Sequence, residues 1–250
     1  MMKVTLQIDY DKARDREYLG LLKKCGFDGV ELFLDGDVSD AEAVREGIEK
    51  AGLWVSQTQL SKDNVAAGLR ASSALGVKWA CLPVVINYDT DLVRAAIPIA
   101  EEYGVGIALE NPATHDNITD TFCIYADSFK SDLVGICYNI GHANLMGSDD
   151  FGIKKFDVDK AAAVRRAGER IKIIHVSDNH GDLDRRLCPT VPNAVCSVKW
   201  SEIIGALREI GFDGAFSLAV RLDLKGYCLE KDYLEFCAGV SKTLLGGGAR

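Results

Sequence analysis

The first thing missing from this 250-residue sequence is a cysteine framework. Its eight cysteines stand apart, at 25, 81, 123, 137, 188, 196, 228 and 237, with no C-x-x-C pair. A zinc-finger or dithiol redox motif is therefore excluded. In stretches such as CLPVV and GICYN the thiols look like small buried apolar residues, free in a reducing cytosol. No apolar run reaches the ~20 residues of a membrane span. The start, MMKVTLQID, lacks the apolar centre of a signal peptide, so a cytoplasmic protein without membrane contact is expected. Positive charge is also in deficit, with 29 Lys and Arg against 37 Asp and Glu and a net charge of −8. That balance argues against a surface built to neutralise phosphate backbones, and no nucleic-acid partner is expected. Neither G-x-G-x-x-G nor a P-loop occurs, which counts against an open doubly wound nucleotide fold, the main alternative architecture.

What is present is ordinary globular composition, 48% hydrophobic and 26% charged, in a length suited to one α/β barrel or two small domains. Its organising signal is a glycine where each helix should hand over to a strand: Gly26, Gly52, Gly76, Gly104 and Gly211. Glycine there supplies the left-handed cap that ends a helix. Two junctions are near copies, Gly26-Phe27-Asp28-Gly29 and Gly211-Phe212-Asp213-Gly214, so two strands share one setting. Strand patterns fall at Val4–Ile8, Gly29–Phe33, Trp54–Leu60, Trp79–Val85, Gly106–Glu110, Leu133–Tyr138, Ile171–Val176 and Ala215–Val220. Helical stretches follow each, with Ser39 and Ser61 expected to cap the second and third and Pro98 expected to kink the fourth. Eight alternations predict a closed (β/α)8 TIM barrel over residues 1–245, with 246–250 as a flexible tail. The long connection between Ser177 and Val198 follows a strand and should lie over the mouth as a lid or binding loop.

In a barrel the strand ends share one mouth. Val134–Gly147, VGICYNIGHANLMG, runs from an apolar strand straight into Asn139, His142 and Asn144. Glu110-Asn111 and His175-Val176-Ser177-Asp178 end two other strands the same way. Collected by strand end, the candidates are Glu31, Gln57, Gln59, Glu110, Asn139, His142, His175, Asp178 and Arg221. Carboxylate, imidazole and amide groups around one mouth suit a divalent cation or the hydroxyls of a sugar. His115 and His180 sit in polar loops and are expected at the surface.

The motifs GFDGVELF, ALENP, GICYNIGHAN, IIHVSDNHG and GFDGAFSLAV together resemble the xylose isomerase-like TIM barrels, the sugar isomerase and epimerase group. The resemblance covers nearly the whole chain. It implies a divalent metal (Zn, Mn or Mg) held by a Glu ending strand 5, an Asp ending strand 6, a His on strand 7 and a Glu ending strand 8. It also implies two carboxylates that shuttle a proton beside a carbonyl while the metal steadies the enediolate. Carried over, Glu110 and His175 match metal positions, and Glu110 and His142 are the catalytic candidates. Glu31, Gln57, Gln59, Asp178 and Arg221 fall to substrate binding.

Two departures stand out. Asn139 replaces the strand-6 Asp, and Ser217-Leu218-Ala219 replaces Ser-Leu-Glu. A hard cation loses two anionic ligands that way, so Mg or Mn should bind weakly or not at all. Zinc is the exception, through Glu110 and His175 with Asn139 or His142. Arg221, two residues beyond Ala219, could pair with Glu110 in the metal's place or hold an anionic ligand. A further departure is Val191-Pro192-Asn193, where the family has G-x-G. The expected function is a sugar or sugar-phosphate isomerase or epimerase-like protein with a weakened metal site. The alternatives are an inactive sugar-binding barrel, or a lyase or hydrolase acting on an oxidised sugar. The partner expected is a small sugar-like molecule, and a homo-oligomer is compatible with the sequence.

Overall fold

The register of the strands closes on itself. In the computed structural model, which describes residues 2–113, 119–145, 159–181, 183–190, 198–222 and 230–246, eight parallel strands pair in sequence order and the last returns to the first. They are β1 (Val4–Asp9), β2 (Gly29–Leu34), β3 (Val55–Leu60), β4 (Trp79–Pro83), β5 (Gly106–Glu110), β6 (Val134–Asn139), β7 (Ile171–Val176) and β8 (Phe216–Leu218). The helices are α1 (Arg16–Cys25), α2 (Ala41–Lys50), α3 (Val65–Ala74), α4 (Thr90–Tyr103), α5 (Thr119–Asp127), a single turn α6 (Ile140–Ala143), α7 (Lys160–Ala167), α8 (Trp200–Glu209) and α9 (Glu230–Leu245). This is a (β/α)8 TIM barrel, as the alternation predicted.

Alternation of side chains across each strand sorts the interior into two populations. One face of the sheet meets the helices in a continuous apolar core that includes Leu6, Leu32, Leu82, Ile107, Leu109, Ile174 and Phe216, packed on Leu19, Leu22, Leu69 and Leu207. The other face fills the barrel. There a separate small cluster of Cys81, Ala108, Cys137 and Ile173 is backed by Trp79. Pairing is not uniform around the ring. Most neighbours share four or five register pairs. β3 meets β4 through Thr58–Ala80 and Gln59–Cys81, and β7 meets β8 through His175–Ser217 and Val176–Leu218.

The duplicated glycine junctions do the same work twice. Gly26 and Gly211 take positive φ values of 101° and 70°, and the chain turns straight into β2 and towards β8. Gly29 answers a different need, since a Cβ there would stand 2.4 Å from the carbonyl oxygen of Trp54.

Local details differ from the sequence reading. Neither Ser39 nor Ser61 caps a helix through its side chain. Asp40 is the residue before α2, and its carboxylate is engaged elsewhere, by Tyr10 and Arg14. α1 instead has a true cap, Asp15, which accepts from the N–H groups of Glu17 and Tyr18. α4 carries Pro98 within its span, where the sequence placed it. Cys25, Cys81, Cys123, Cys137, Cys188 and Cys237 are free and buried, while Cys196, Cys228 and the tail from 247 lie outside the described residues.

Candidate active site

Several strands point a polar group into the mouth, and these groups find one another. β2 supplies Glu31, β5 Glu110 and β7 His175, whose imidazole lies between the two carboxylates. Nδ1 is 2.6 Å from Glu110 Oε1 and Nε2 is 2.7 Å from Glu31 Oε1. Both ring nitrogens face carboxylate oxygens, so both donate, which only an imidazolium can do. All three side chains are buried: His175 is 1% exposed, Glu31 0% and Glu110 6%.

Burial and charge oppose each other here, and charge wins. Desolvation would lower the His175 pKa, but Glu31 and Glu110 hold it well above the usual range. Desolvation would raise Glu110, but the His175 charge and hydrogen bonds from His175 and Asn139 bring it to about 2. Glu31 is likewise held below the usual range against its own burial, by His175 first and then by Ser217 and Gln57. The unit is one cation clamped by two anions. The remaining acceptor sites of Glu31 are filled by Gln7 Nε2 on Oε1 at 3.1 Å, and by Gln57 Nε2 and Ser217 Oγ on Oε2 at 2.8 and 2.6 Å.

Beside Glu110 the mouth is built from amides. Asn139 donates from Nδ2 to Glu110 Oε1 at 2.9 Å, while its Oδ1 accepts the N–H of His142 at 3.1 Å and so starts α6. Asn111 and Asn139 are paired through backbone and side chain, with Asn111 Oδ1 accepting from Asn139 N and Asn111 Nδ2 donating to Asn139 O. His142 Nδ1 lies 2.8 Å from the Asn111 carbonyl, and Nε2 faces Asp184 Oδ2 at 3.5 Å. Burial works against its charged form, but Asp184 and Glu110 together raise the His142 pKa. The next layer, Asn144, Asn179 and Gly141, is tied by amide hydrogen bonds.

A cavity of about 600 Å³ opens above this unit, lined by Gln7, Phe33, Gln59, Asp184, Arg186 and Arg221 among others. Gln7 connects it to Glu31 and to Gln59, and Asp184 connects it to His142. A second cavity of about 600 Å³, at Trp54, Trp79 and Phe212, opens at the opposite end of the barrel. Chemistry in β/α barrels belongs to the ends where strands finish.

The sequence candidates thus divide. Glu31, Glu110, Asn139, His142, His175 and Gln57 form one hydrogen-bonded set, and Gln59 and Arg221 line the cavity above it. Asp178 stands apart and is wholly buried. Its carboxylate accepts from Trp200 Nε1 at 2.9 Å and from Asn179 N at 2.8 Å, while its backbone bridges Leu187 in both directions. It pins the connection after β7. The cation against Glu110 is His175, not Arg221. Arg221 is exposed, and its N–H donates to the Arg186 carbonyl. His180 is exposed as expected, while His115 and Val191-Pro192-Asn193 lie outside the described residues.

Four site residues escaped the sequence reading. Gln7 and Ser217 are single polar residues inside apolar strands, detectable only as a polar position on the inward period of two. Asp184 and Arg186 lie in the connection after β7, where no periodicity marks a residue. That connection was expected to cover the mouth, and these two residues do line it. Arg186 holds a positive φ of 50°, a conformation costly for a side-chain-bearing residue and concentrated at functional sites.

A hard-cation set of the family kind does not fit these residues. Asn139 turns its nitrogen, not its oxygen, to Glu110. Ala219 adjoins β7 through its N–H on the Val176 carbonyl and brings no donor side chain.

A sequence profile for xylose isomerase-like TIM barrels matches residues 90–232. The chain belongs to that family. A curated relative, an uncharacterized protein of Methanocaldococcus jannaschii, is 29% identical over 158 residues, 60% of this chain and 50% of the relative. The chain therefore spans about half the length of the curated relative it matches. Among solved structures of similar shape, the 3-keto-D-glucoside 4-epimerase YcjR of E. coli superposes with a TM-score of 0.74 at 17% identity, covering 97% of this chain and all of that one. A xylose isomerase domain protein of Alicyclobacillus acidocaldarius reaches 0.72 at 14% identity, covering 98% and 99%. At such identities the likeness speaks for the xylose isomerase-like fold. No described helix is long and apolar enough to cross a membrane.

Proposed function

We propose that the protein binds a polyhydroxylated carbonyl compound, or its phosphate, at the mouth and moves a proton at the carbon next to the carbonyl. The observation that carries this reading is the state of Glu110. Its carboxylate is ionised, with a pKa near 2. Oε1 is fixed by Asn139 and His175, while Oε2 has no hydrogen-bond partner among the described residues. A fixed carboxylate with one uncommitted oxygen has the geometry of a general base, while its low pKa weakens it as one.

His142 is the second proton-carrying group. The Asn111 carbonyl orients its ring from the far side, and an imidazole can both give and take a proton near neutrality. Two such groups, Glu110 and His142, are what inversion at a carbon needs. Glu31 is the buried counter-ion that holds His175 in place. Gln7 and Gln59 offer amide donors and acceptors to hydroxyls, and Arg186 and Arg221 suit an anionic end. Membership of a family whose structural neighbours include a sugar epimerase supports this substrate class. A second reading, a barrel that binds the sugar without turning it over, draws on the same clamp, because both glutamates already spend an oxygen on His175.

Proton exchange in heavy water separates the two. Ketoses, aldoses and their phosphates are first screened by thermal shift, and hits are incubated with the protein in D2O and followed by NMR. Deuterium should enter the carbon next to the carbonyl. Glu110→Gln should slow that exchange by about 10²–10⁴-fold while the thermal shift remains. Binding without exchange in the native protein leaves the non-catalytic reading. Absence of any hit across the series counts against both.

A further inference from the structure

The barrel interior carries two thiols that the sugar reading does not use. Cys81 on β4 and Cys137 on β6 lie beneath Glu110 on β5 and His175 on β7. One ligand atom from each of the four falls within 4.8 Å of all the others, and all four residues are buried. Bond lengths of ~2.0–2.3 Å to a tetrahedral centre set donors ~3.3–3.8 Å apart, so the widest pairs need to draw in by about 1.0–1.5 Å and the Glu110–His175 contact needs to open. We propose that Cys81, Cys137, Glu110 and His175 form a closed site for a borderline or soft cation, zinc first, just under the mouth.

Three observations support the assignment. The donor set is two sulfurs, one imidazole and one carboxylate, a mixture that favours zinc over magnesium or manganese. The surrounding layer is small: where barrels carry bulky branched residues, β4, β5 and β6 present Cys81, Ala108 and Cys137. The support for the histidine is already built. Nε2 of His175 donates to Glu31 Oε1 at 2.7 Å, leaving Nδ1 towards Glu110. Ligating histidines are ordinarily held by such a carboxylate on their far nitrogen. Glu31 is itself fixed by Gln57 and Ser217.

On binding, the Nδ1 proton and both thiol protons leave to solvent, and the cation takes the lone pairs they vacate along with one Glu110 oxygen. No redox change is involved. The set is distinct from the carboxylate-rich one implied by family resemblance, since neither Asn139 nor position 219 takes part. The site stands without the sugar reading. Where that reading holds, a bound zinc engages Glu110 and silences proton transfer.

The test uses the whole protein, reduced and stripped with EDTA, and cobalt(II) as a spectroscopic stand-in. Cobalt should bind one per chain with a thiolate-to-metal charge-transfer band, and zinc should displace it. Magnesium should not. Cys81→Ala and Cys137→Ala should each weaken cobalt binding at least tenfold and remove the band. Their metal-free melts report folding, and any sugar-induced thermal shift should persist, which separates failure of the metal site from failure of the sugar reading. Protein expressed in zinc-supplemented medium gives a second route for an ion that enters the closed barrel slowly. Absence of metal by both routes overturns the proposal. Stoichiometric zinc that survives the double cysteine variant overturns it too, by placing the ion elsewhere.

Discussion

Asn139 gives its amide nitrogen to Glu110, Nδ2 to Oε1 across 2.9 Å. A carboxylate at this position would turn an attractive contact into a repulsive one. On its own Asn139→Asp should destabilise the protein by about 1–3 kcal/mol, since it removes a buried donor from an ionised partner. Together with Ala219→Glu it should create affinity for Mg or Mn, because hard cations demand anionic oxygens. Calorimetry and elemental analysis on native and double-variant protein check both halves. Equal manganese content in the two would show that the missing carboxylates are irrelevant to metal choice.

The Glu31–His175–Glu110 clamp predicts a particular pH profile for the metal-free protein. His175 titrates higher folded than unfolded, so its contribution is complete below about 6.5 and is lost as pH climbs through the folded value. The glutamates run the other way. Glu110 contributes fully above its ordinary 4.5 and loses that contribution as pH falls towards about 2. Stability should therefore plateau in the mildly acidic range and fall on both sides. His175→Gln leaves two buried carboxylates without their cation, costing about 3–5 kcal/mol at neutral pH, and stability should then rise on acidification. Urea unfolding across pH decides it. A variant with the native profile would remove the clamp from the account.

Asp178 should behave as a structural residue. Trp200→Phe removes the donor on its Oδ2 and should cost about 1–3 kcal/mol, with sugar-induced thermal shifts kept once the lower baseline is subtracted. If ligand response disappears while the melt stays put, the carboxylate reaches the substrate after all.

At Gly29 the prediction is steric. An added Cβ would meet the Trp54 carbonyl at 2.4 Å, backbone that cannot swing aside, so Gly29→Ala should cost about 1–3 kcal/mol. Gly47, with nothing within 4 Å of a Cβ and sited inside α2, should accept alanine and gain about 1 kcal/mol. Thermal melts of the pair test this directly.

Most of the fold was legible because apolar runs and capping glycines recur with the period of a strand and helix, and Glu110 and His175 stood where such runs end. The contacts themselves were not. That Glu31 and Glu110 share one histidine depends on ring closure and stagger across several strands, and no local pattern encodes it. Cys81 and Cys137 were correctly expected to be buried and free, yet their meeting depends on the register of β4 and β6 relative to β5. Asp184 and Arg186 are fixed by the bridge between Asp178 and Leu187, a pairing invisible without coordinates. Ser39 and Ser61 had the right chemistry for caps, but α2 begins where Asp40 holds Arg14 and Tyr10.

The sparse pairing at β3–β4 and β7–β8 divides the ring into two arcs, β8–β1–β2–β3 and β4–β5–β6–β7. His175 hangs from one arc and Glu31 from the other, so their ion pair is a rivet across a seam. Backbone amides along these seams should exchange with deuterium sooner than those inside each arc, since sub-global opening follows the weakest lines of pairing. Cutting the rivet should speed exchange there before it changes anything within the arcs. In such a barrel the charged centre at the mouth also sets how often the wall parts.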